Sequence, residues 1–236
     1  MNLIDNLNLT VVIPTKNEEN CIADTVNELK NLDYTKILII DANSDDKTIE
    51  IGKNLGCECV LQKGKGYGQA VIESLDYIKT EYVCFFDADY SYNPRSIKEM
   101  HKKLMDENLD IVFGSRYKNN SKSEDDTFVR YLGNKFFTTL CNLLFGTKIS
   151  DCLFHYPVAK LETYKKLKLS YNDFSLCFEV PAKVHYMHYK YSEVLSKERK
   201  RISGVSKVNA LFDGLKILIN IFKLKINLTF GGYGKN

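Results

Sequence analysis

Asp87 and Asp89, one residue apart in the run FFDADYS, are the residues whose spacing first suggests chemistry. If the chain turns after the apolar stretch before them, both carboxylates can meet one divalent cation. Mg²⁺ or Mn²⁺ would take hard oxygen ligands from the pair and keep positions open for a diphosphate. Such a cation neutralises charge building on a departing nucleoside diphosphate. Acids at a strand end can equally be merely solvated, and an Asp-x-Asp pair alone does not choose. Its position after a fully apolar strand, with other strands ending at the same edge, favours a site. Asp41, in IIDANSDDKT, sits at a similar turn. It can accept hydrogen bonds from a nucleobase or ribose, while Ser44 caps the next helix and Asp46 favours its N-terminus. In GKGYG (Gly64–Gly68), Lys65 can reach a phosphate, or the loop is a bare turn. It lacks the spacing of a Walker loop and does not follow the first strand, which also argues against a dinucleotide fingerprint.

These residues need elements to hold them. LTVVIP (Leu9–Pro14), KILIID (Lys36–Asp41), CVLQ, YVCFFDAD (Tyr82–Asp89) and DIVFGS (Asp110–Ser115) read as strands. Amphipathic stretches between them read as helices: 18–32, 44–55, 69–79 and 94–107, the last with Pro94 in its first turn. Strand–helix alternation predicts an α/β fold, a mostly parallel sheet flanked by helices. In such sheets ligands bind beyond the carboxyl ends of the strands, where Asp41, Asp87, Asp89 and Ser115 fall. The second half is less regular. Residues 119–126 form a polar, acidic stretch that predicts a mobile loop. Helices follow at 128–145 and 176–189, then a strand through Val194, and a long amphipathic helix over 207–224 ends the fold. No linker divides the chain, so one domain is expected.

The 236 residues are 44% hydrophobic and 27% charged, with a net charge of +3. That balance gives no sign of a nucleic-acid partner. The charge is uneven: eight Lys or Arg lie between Lys197 and Lys225, against Glu198 and Asp213. The seven cysteines form no CxxC pair and read as free thiols in a reducing compartment. The start lacks the basic and apolar regions of a signal peptide, and no run reaches the roughly 20 apolar residues needed to span a bilayer. A cytoplasmic protein is expected, with its oligomeric state left open.

VVIPTKNEEN, IIDANSDDKT, GKGYGQA, FFDADYSYNP and FGSRY occur in an order and spacing that resembles the inverting family 2 glycosyltransferases. FEVPAKV, ERKRISGVSK and DGLKIL resemble the C-terminal part of the branch that includes dolichol-phosphate mannose synthase and related polyprenyl-phosphate glycosyltransferases. The resemblance covers about residues 9–224. It implies a GT-A type sheet for nucleotide-diphospho-sugars, with a donor half over 1–117 and an acceptor half over 118–225. It implies that Pro14, Thr15, Asn17, Glu18 and Asp41 line the nucleotide pocket and that Lys65 sits near the nucleotide phosphates. Asp87 and Asp89 would handle a Mn²⁺ or Mg²⁺ diphosphate, with Ser91 nearby. Arg116 would face the phosphate-bearing substrates. Arg199, Arg201, Ser206 and Lys207 would close over the donor or hold an acceptor phosphate, with Asp151 retained beside them. Two places depart from the pattern: Ala42 stands where a second acid is usual, and His155, Tyr156 and Pro157 replace Gly-Phe and a basic residue. The polar His155 reads as an acceptor contact or as a structural residue.

A lipid phosphate is already ionised at neutral pH and needs positioning charge rather than a base. The cluster Arg199, Lys200, Arg201 and Lys207 suits such an acceptor, although a solvated charge run has the same composition. Glu179, a lone acid in CFEVP, either orients a basic residue or serves as a fallback base beside the expected catalytic Asp89 and Arg116. The final helix places Phe212, Leu215, Ile219 and Phe222 at helical spacing with Lys216, Lys223 and Lys225. It packs on the core, lies on an anionic membrane surface, or does both. The expected reaction moves a sugar from a nucleotide sugar, of GDP-mannose or UDP-glucose type, to a polyprenyl or dolichyl phosphate at the cytosolic face of a membrane. Transfer to a hydroxyl, with Glu179 or Asp151 as base, is the alternative within the same class. A silent nucleotide- or membrane-binding module and a nucleotidyltransferase are the alternatives outside it.

Overall fold

In the computed structural model, residues 8–201 and 210–231 are described, the side chains of 210 and 211 excepted. Seven strands form one sheet: β1 (Leu9–Thr15), β2 (Ile37–Asp41), β3 (Glu58–Leu61), β4 (Tyr82–Phe85), β5 (Ile111–Ser115), β6 (Pro157–Lys160) and β7 (Tyr191–Leu195), in the order β3-β2-β1-β4-β6-β5-β7. Pairing is parallel except on both sides of β6, which runs antiparallel to β4 and β5.

Alternation within the strands builds two cores. Val11, Ile13 and Ile39 point to one face, against Ile22, Val26 and Leu29 of α1 (Ile22–Asn31) and Ile97, Met100 and Leu104 of α4 (Arg95–Asp106). Val12, Leu38 and Ile40 point to the other, against α3 (Tyr67–Ser74) and α7 (Leu176–Tyr186). This is the period of two expected of strands. The short helices α2 (Thr48–Asn54) and α6 (Leu161–Lys166) complete the layers. Outside α7 lie α5 (Phe128–Phe145) and α8 (Ala210–Phe230). Leu176, Val180 and Val184 face the sheet, while Phe178 and Ala182 meet Cys141, Ile217 and Ile221. A helix buried on opposite faces belongs between two layers.

Several expected boundaries move. The third long strand stops at Phe85, so Asp87 and Asp89 lie in the loop beyond it. β6 begins with Pro157 inside the segment read as an acceptor contact; proline is tolerated as the first residue of a strand. Ser44 does not cap: α2 starts at Thr48, whose N–H donates to Asp46. The acidic 119–126 stretch is pinned, through Tyr117 to Asp126, Ser123 to Glu198 and Arg201 to Asp125. All seven cysteines are free.

Candidate functional site

The loops at the carboxyl ends of β1, β2 and β4 converge, and the first of them is built around Asp41. Its carboxylate is fully buried and accepts from Thr15 Oγ1 at 2.7 Å, Ser44 N at 2.7 Å and Ser44 Oγ at 2.6 Å. Three donors nearly exhaust its capacity. Asp41 is thus the brace of this loop, and the expected contact with a base is not what its side chain is arranged for. Asn17, in the left-handed region at φ 53°, accepts from Asp45 N and donates its own N–H to Ser44 Oγ. Glu18 N donates to Thr48 Oγ1, tying this loop to α2. Pro14 lies in the strand itself, opposite Ile40.

After Phe86, whose N–H still bonds Val12, the chain leaves the sheet. Ala88 points into the core, and its carbonyl accepts from Thr25. Asp87 and Asp89 line a cavity of about 340 Å³. Asp87 Oδ1 accepts Ala88 N, and Asp89 Oδ1 accepts Ser91 N. Burial first, and then the Asp89 charge, pushes the Asp87 carboxyl up to about 8. Arg201 Nη1 lies 3.3 Å from Asp89 Oδ2, while its Nη2 donates to Asp125 at 2.9 Å.

Arg116, at the end of β5, also lines the cavity. Its Nε and Nη2 donate to both oxygens of Asp151 at 2.7 and 3.0 Å, and Nη1 lies 3.5 Å from Glu198. Asp151 is therefore spent on Arg116. This corrects its assignment to acceptor binding and removes it as a base. Burial raises the Glu198 carboxyl, against the lowering effect of Arg116.

Three more assignments change. Arg199 lies outside the cavity: its guanidinium grips both oxygens of Glu28 and the carbonyls of Tyr90 and Tyr92. It clamps the loop that carries Asp89 rather than an acceptor phosphate. Glu179 is fully buried, paired with Lys183 at 2.7 Å and accepting from Ser170 and Tyr171 N–H groups. It orients a lysine and cannot serve as a base in this cavity. Lys65 is exposed and does not line the cavity. The glycines around it answer to packing: a Cβ on Gly66 or Gly68 would lie 2.2 Å from the carbonyl oxygen of Asn172 or Tyr171. Ser206 and Lys207 fall outside the described residues.

Sequence reasoning named His155 as an acceptor contact or a structural residue and missed the lining around it. His155 sits in the floor, with Nδ1 2.8 Å from Tyr67 Oη and Nε2 2.9 Å from Tyr164 Oη. Burial lowers its pKa to about 3, so the ring is neutral at pH 7. Tyr67 stacks on Phe174. Asp125 and Asp126 close one side, and Val129, Phe137 and Ile217 make an apolar wall. Glu198 could have been found, since it interrupts the basic run; the apolar wall needed tertiary structure.

The model of the family described as glycosyl transferase family 2 matches residues 10–167. An uncharacterized protein of Methanocaldococcus jannaschii is 30% identical, with 96% of each chain covered. The UDP-N-acetylglucosamine–dolichyl-phosphate N-acetylglucosaminyltransferase of Methanococcus voltae is 28% identical over 60% of this chain and 64% of its own. Among solved structures, glucosyl-3-phosphoglycerate synthase from Mycobacterium tuberculosis, in complex with Mn²⁺, uridine-diphosphate and phosphoglyceric acid, is similar with a TM-score of 0.67. It is 17% identical, over 96% of this chain and 78% of that one. The architecture is the GT-A type, in a single domain.

Proposed function

This chain belongs to glycosyl transferase family 2 and is a glycosyltransferase, and from that premise we propose that it transfers a sugar from a nucleotide sugar, UDP- or GDP-linked, to a polyprenyl or dolichyl phosphate. One observation carries the reading. A single cavity joins the Asp87–Asp89 pair and the Arg116 and Arg201 guanidinium groups to an apolar wall from α5 and α8. That combination suits two phosphate-bearing substrates, one of them with an apolar tail. The M. voltae relative, by its name, acts on a dolichyl phosphate.

The donor set fits a divalent cation. Asp87 and Asp89 offer hard oxygens, and after burial the Asp89 charge is the next cause of the raised Asp87 carboxyl, a repulsion that a cation would relieve. Among the described residues no group of three His, Cys, Asp or Glu could hold a metal. The remaining positions would therefore go to diphosphate oxygens and water. When bound, Mn²⁺ or Mg²⁺ supplies positive charge to the leaving diphosphate. The residues of the chain do the positioning. Arg116, fixed by Asp151 and Glu198, and Arg201, between Asp89 and Asp125, draw the two phosphates together. An acceptor phosphate oxygen attacks the anomeric carbon. The bond from that carbon to the diphosphate oxygen breaks on the opposite face, and the configuration inverts. No base is needed, because the acceptor is already an anion. In this reading residues 1–117 serve the donor and 118–225 the acceptor.

The test is a donor screen with Mn²⁺ or Mg²⁺, with and without polyprenyl phosphate, measuring released nucleoside diphosphate. Release dependent on polyprenyl phosphate is expected, with Asp89→Asn folded and at least about 100-fold slower. Release that ignores lipid phosphate and requires a sugar hydroxyl would sink the acceptor assignment.

A further inference from the structure

α8 is apolar on two opposite sides. Ile217, Ile221, Leu224 and Leu228 follow i, i+4, i+7 and i+11 and are buried against α5 and α7. Phe212, Leu215, Ile219, Phe222, Ile226 and Phe230 follow i, i+3, i+7, i+10, i+14 and i+18 and are exposed, Phe212 by 82% and Phe230 by 81%. At 3.6 residues per turn the second stripe lies about half a turn from the first. Burial in this fold accounts for one stripe and leaves the other in water.

α5 repeats the pattern beside it. Phe137, Leu140 and Leu144 pack into the cluster shared with α8, whereas Phe128, Val129, Leu132, Phe136 and Leu143 are exposed, Phe128 by 73% and Leu143 by 79%. The two helices pack on each other, and each carries such a stripe. Large exposed apolar patches of this kind mark an interaction site.

Charge selects the partner. α5 and α8 carry Arg130, Lys135, Lys216, Lys223 and Lys225 against the single acid Asp213. Lys216 pairs with Asp173 and Arg130 with Asp125, while Lys223 and Lys225 are exposed on either side of the α8 stripe. A second copy would bring the same positive charge to these helices; an anionic lipid surface would bring the opposite one. Among the described residues no helix is long and apolar enough to cross a membrane, so such a helix lies in the interface plane.

Position completes the case. Val129, Gly133 and Phe137 of α5 and Gly214 and Ile217 of α8 line the cavity that holds Asp87 and Asp89. Both helices with apolar outer sides thus border the cavity. We infer that the outer face of α5 and α8 docks on an anionic bilayer and sets the cavity mouth at headgroup level. The inference deepens the acceptor reading above and rests on it for its purpose: a lipid phosphate could enter the site while its tail stays in the membrane.

Flotation with vesicles of phosphatidylcholine, alone and mixed with phosphatidylglycerol, tests it. Binding is expected to the mixed vesicles and to weaken with salt. The triple variant Leu215→Ser, Ile219→Ser, Phe222→Ser should partition about tenfold or more weakly. Its nucleoside diphosphate release with a short, water-soluble acceptor should match the parent, which shows that the fold is intact. Absence of vesicle binding by the parent overturns the inference. So does a dimer in sedimentation that the triple variant dissociates while vesicle binding is unchanged. Vesicle binding without transfer to polyprenyl phosphate supports docking and defeats the acceptor reading alone.

Discussion

At Asp87 the folded protein holds a proton that the unfolded chain gives up, because burial and Asp89 push the carboxyl up to about 8. Below the ordinary carboxylate range both states are protonated and the group is neutral in its effect. As pH rises from about 4 to about 8 the folded state is progressively penalised. Asp87→Asn should therefore raise the Tm of the metal-free protein, more at pH 8 than at pH 5 by differential scanning fluorimetry, while nucleoside diphosphate release is lost. An equal gain at both pH values would show that charge is not the cause. His155 has the opposite sign. Its folded pKa of about 3 lies below the unfolded value of about 6.5, so its contribution is present above pH 6.5 and is lost as pH falls towards 3. In urea titrations at pH 7 and pH 4, His155→Gln should lose less stability between the two than the parent does. The acids and Arg116 were legible because their types and strand-end positions are local. The partners of Arg199 were not: Glu28 lies 171 residues away in the chain.

Among the elements, α7 decides between the two roles open to Glu179, orienting a basic residue or serving as a base. Glu179 and Lys183 stand at i and i+4, a spacing that pairs side chains on one helix face. Their complete burial converts that pair from a surface feature into a buried one, holding the 168–171 turn through Ser170, Tyr171 and the Lys168 carbonyl. Glu179→Gln removes the carboxylate that pairs with the buried Lys183 ammonium. It should cost about 3–5 kcal/mol in urea unfolding, with turnover preserved in the fraction that stays folded. Loss of turnover without loss of stability would return Glu179 to the catalytic roster. β6 escaped sequence reading for a different reason. Four residues beginning with proline give too short a pattern to separate a strand from a loop.

For the molecule as a whole, the alternation of strands and helices was enough to predict a mostly parallel sheet with its site at the carboxyl edge. Apolar periodicity is a local signal, and the first half of the chain carries it without interruption. The second half depends on contacts between distant segments. The apolar wall of the cavity joins α5 to α8 across about eighty residues, and the exposed stripe on α8 looks the same in sequence as the stripe that packs inside. Periodicity reports that a face is apolar; only tertiary structure reports what covers it.

The antiparallel β6 lies between β4, which leads into Asp87, and β5, which leads into Arg116. Its hydrogen bonds therefore stitch a late segment of the chain into the middle of the early one. A recombinant spliced after residue 117, joining the proposed donor half to a foreign acceptor half, would lack the strand that fills that gap unless the graft supplied one of matching register. Inheritance of a new acceptor by such an exchange is open only to a graft that brings that strand with it. Otherwise acceptor preference changes by substitution in place, along the lining and the outer helices, while the sheet descends as one unit.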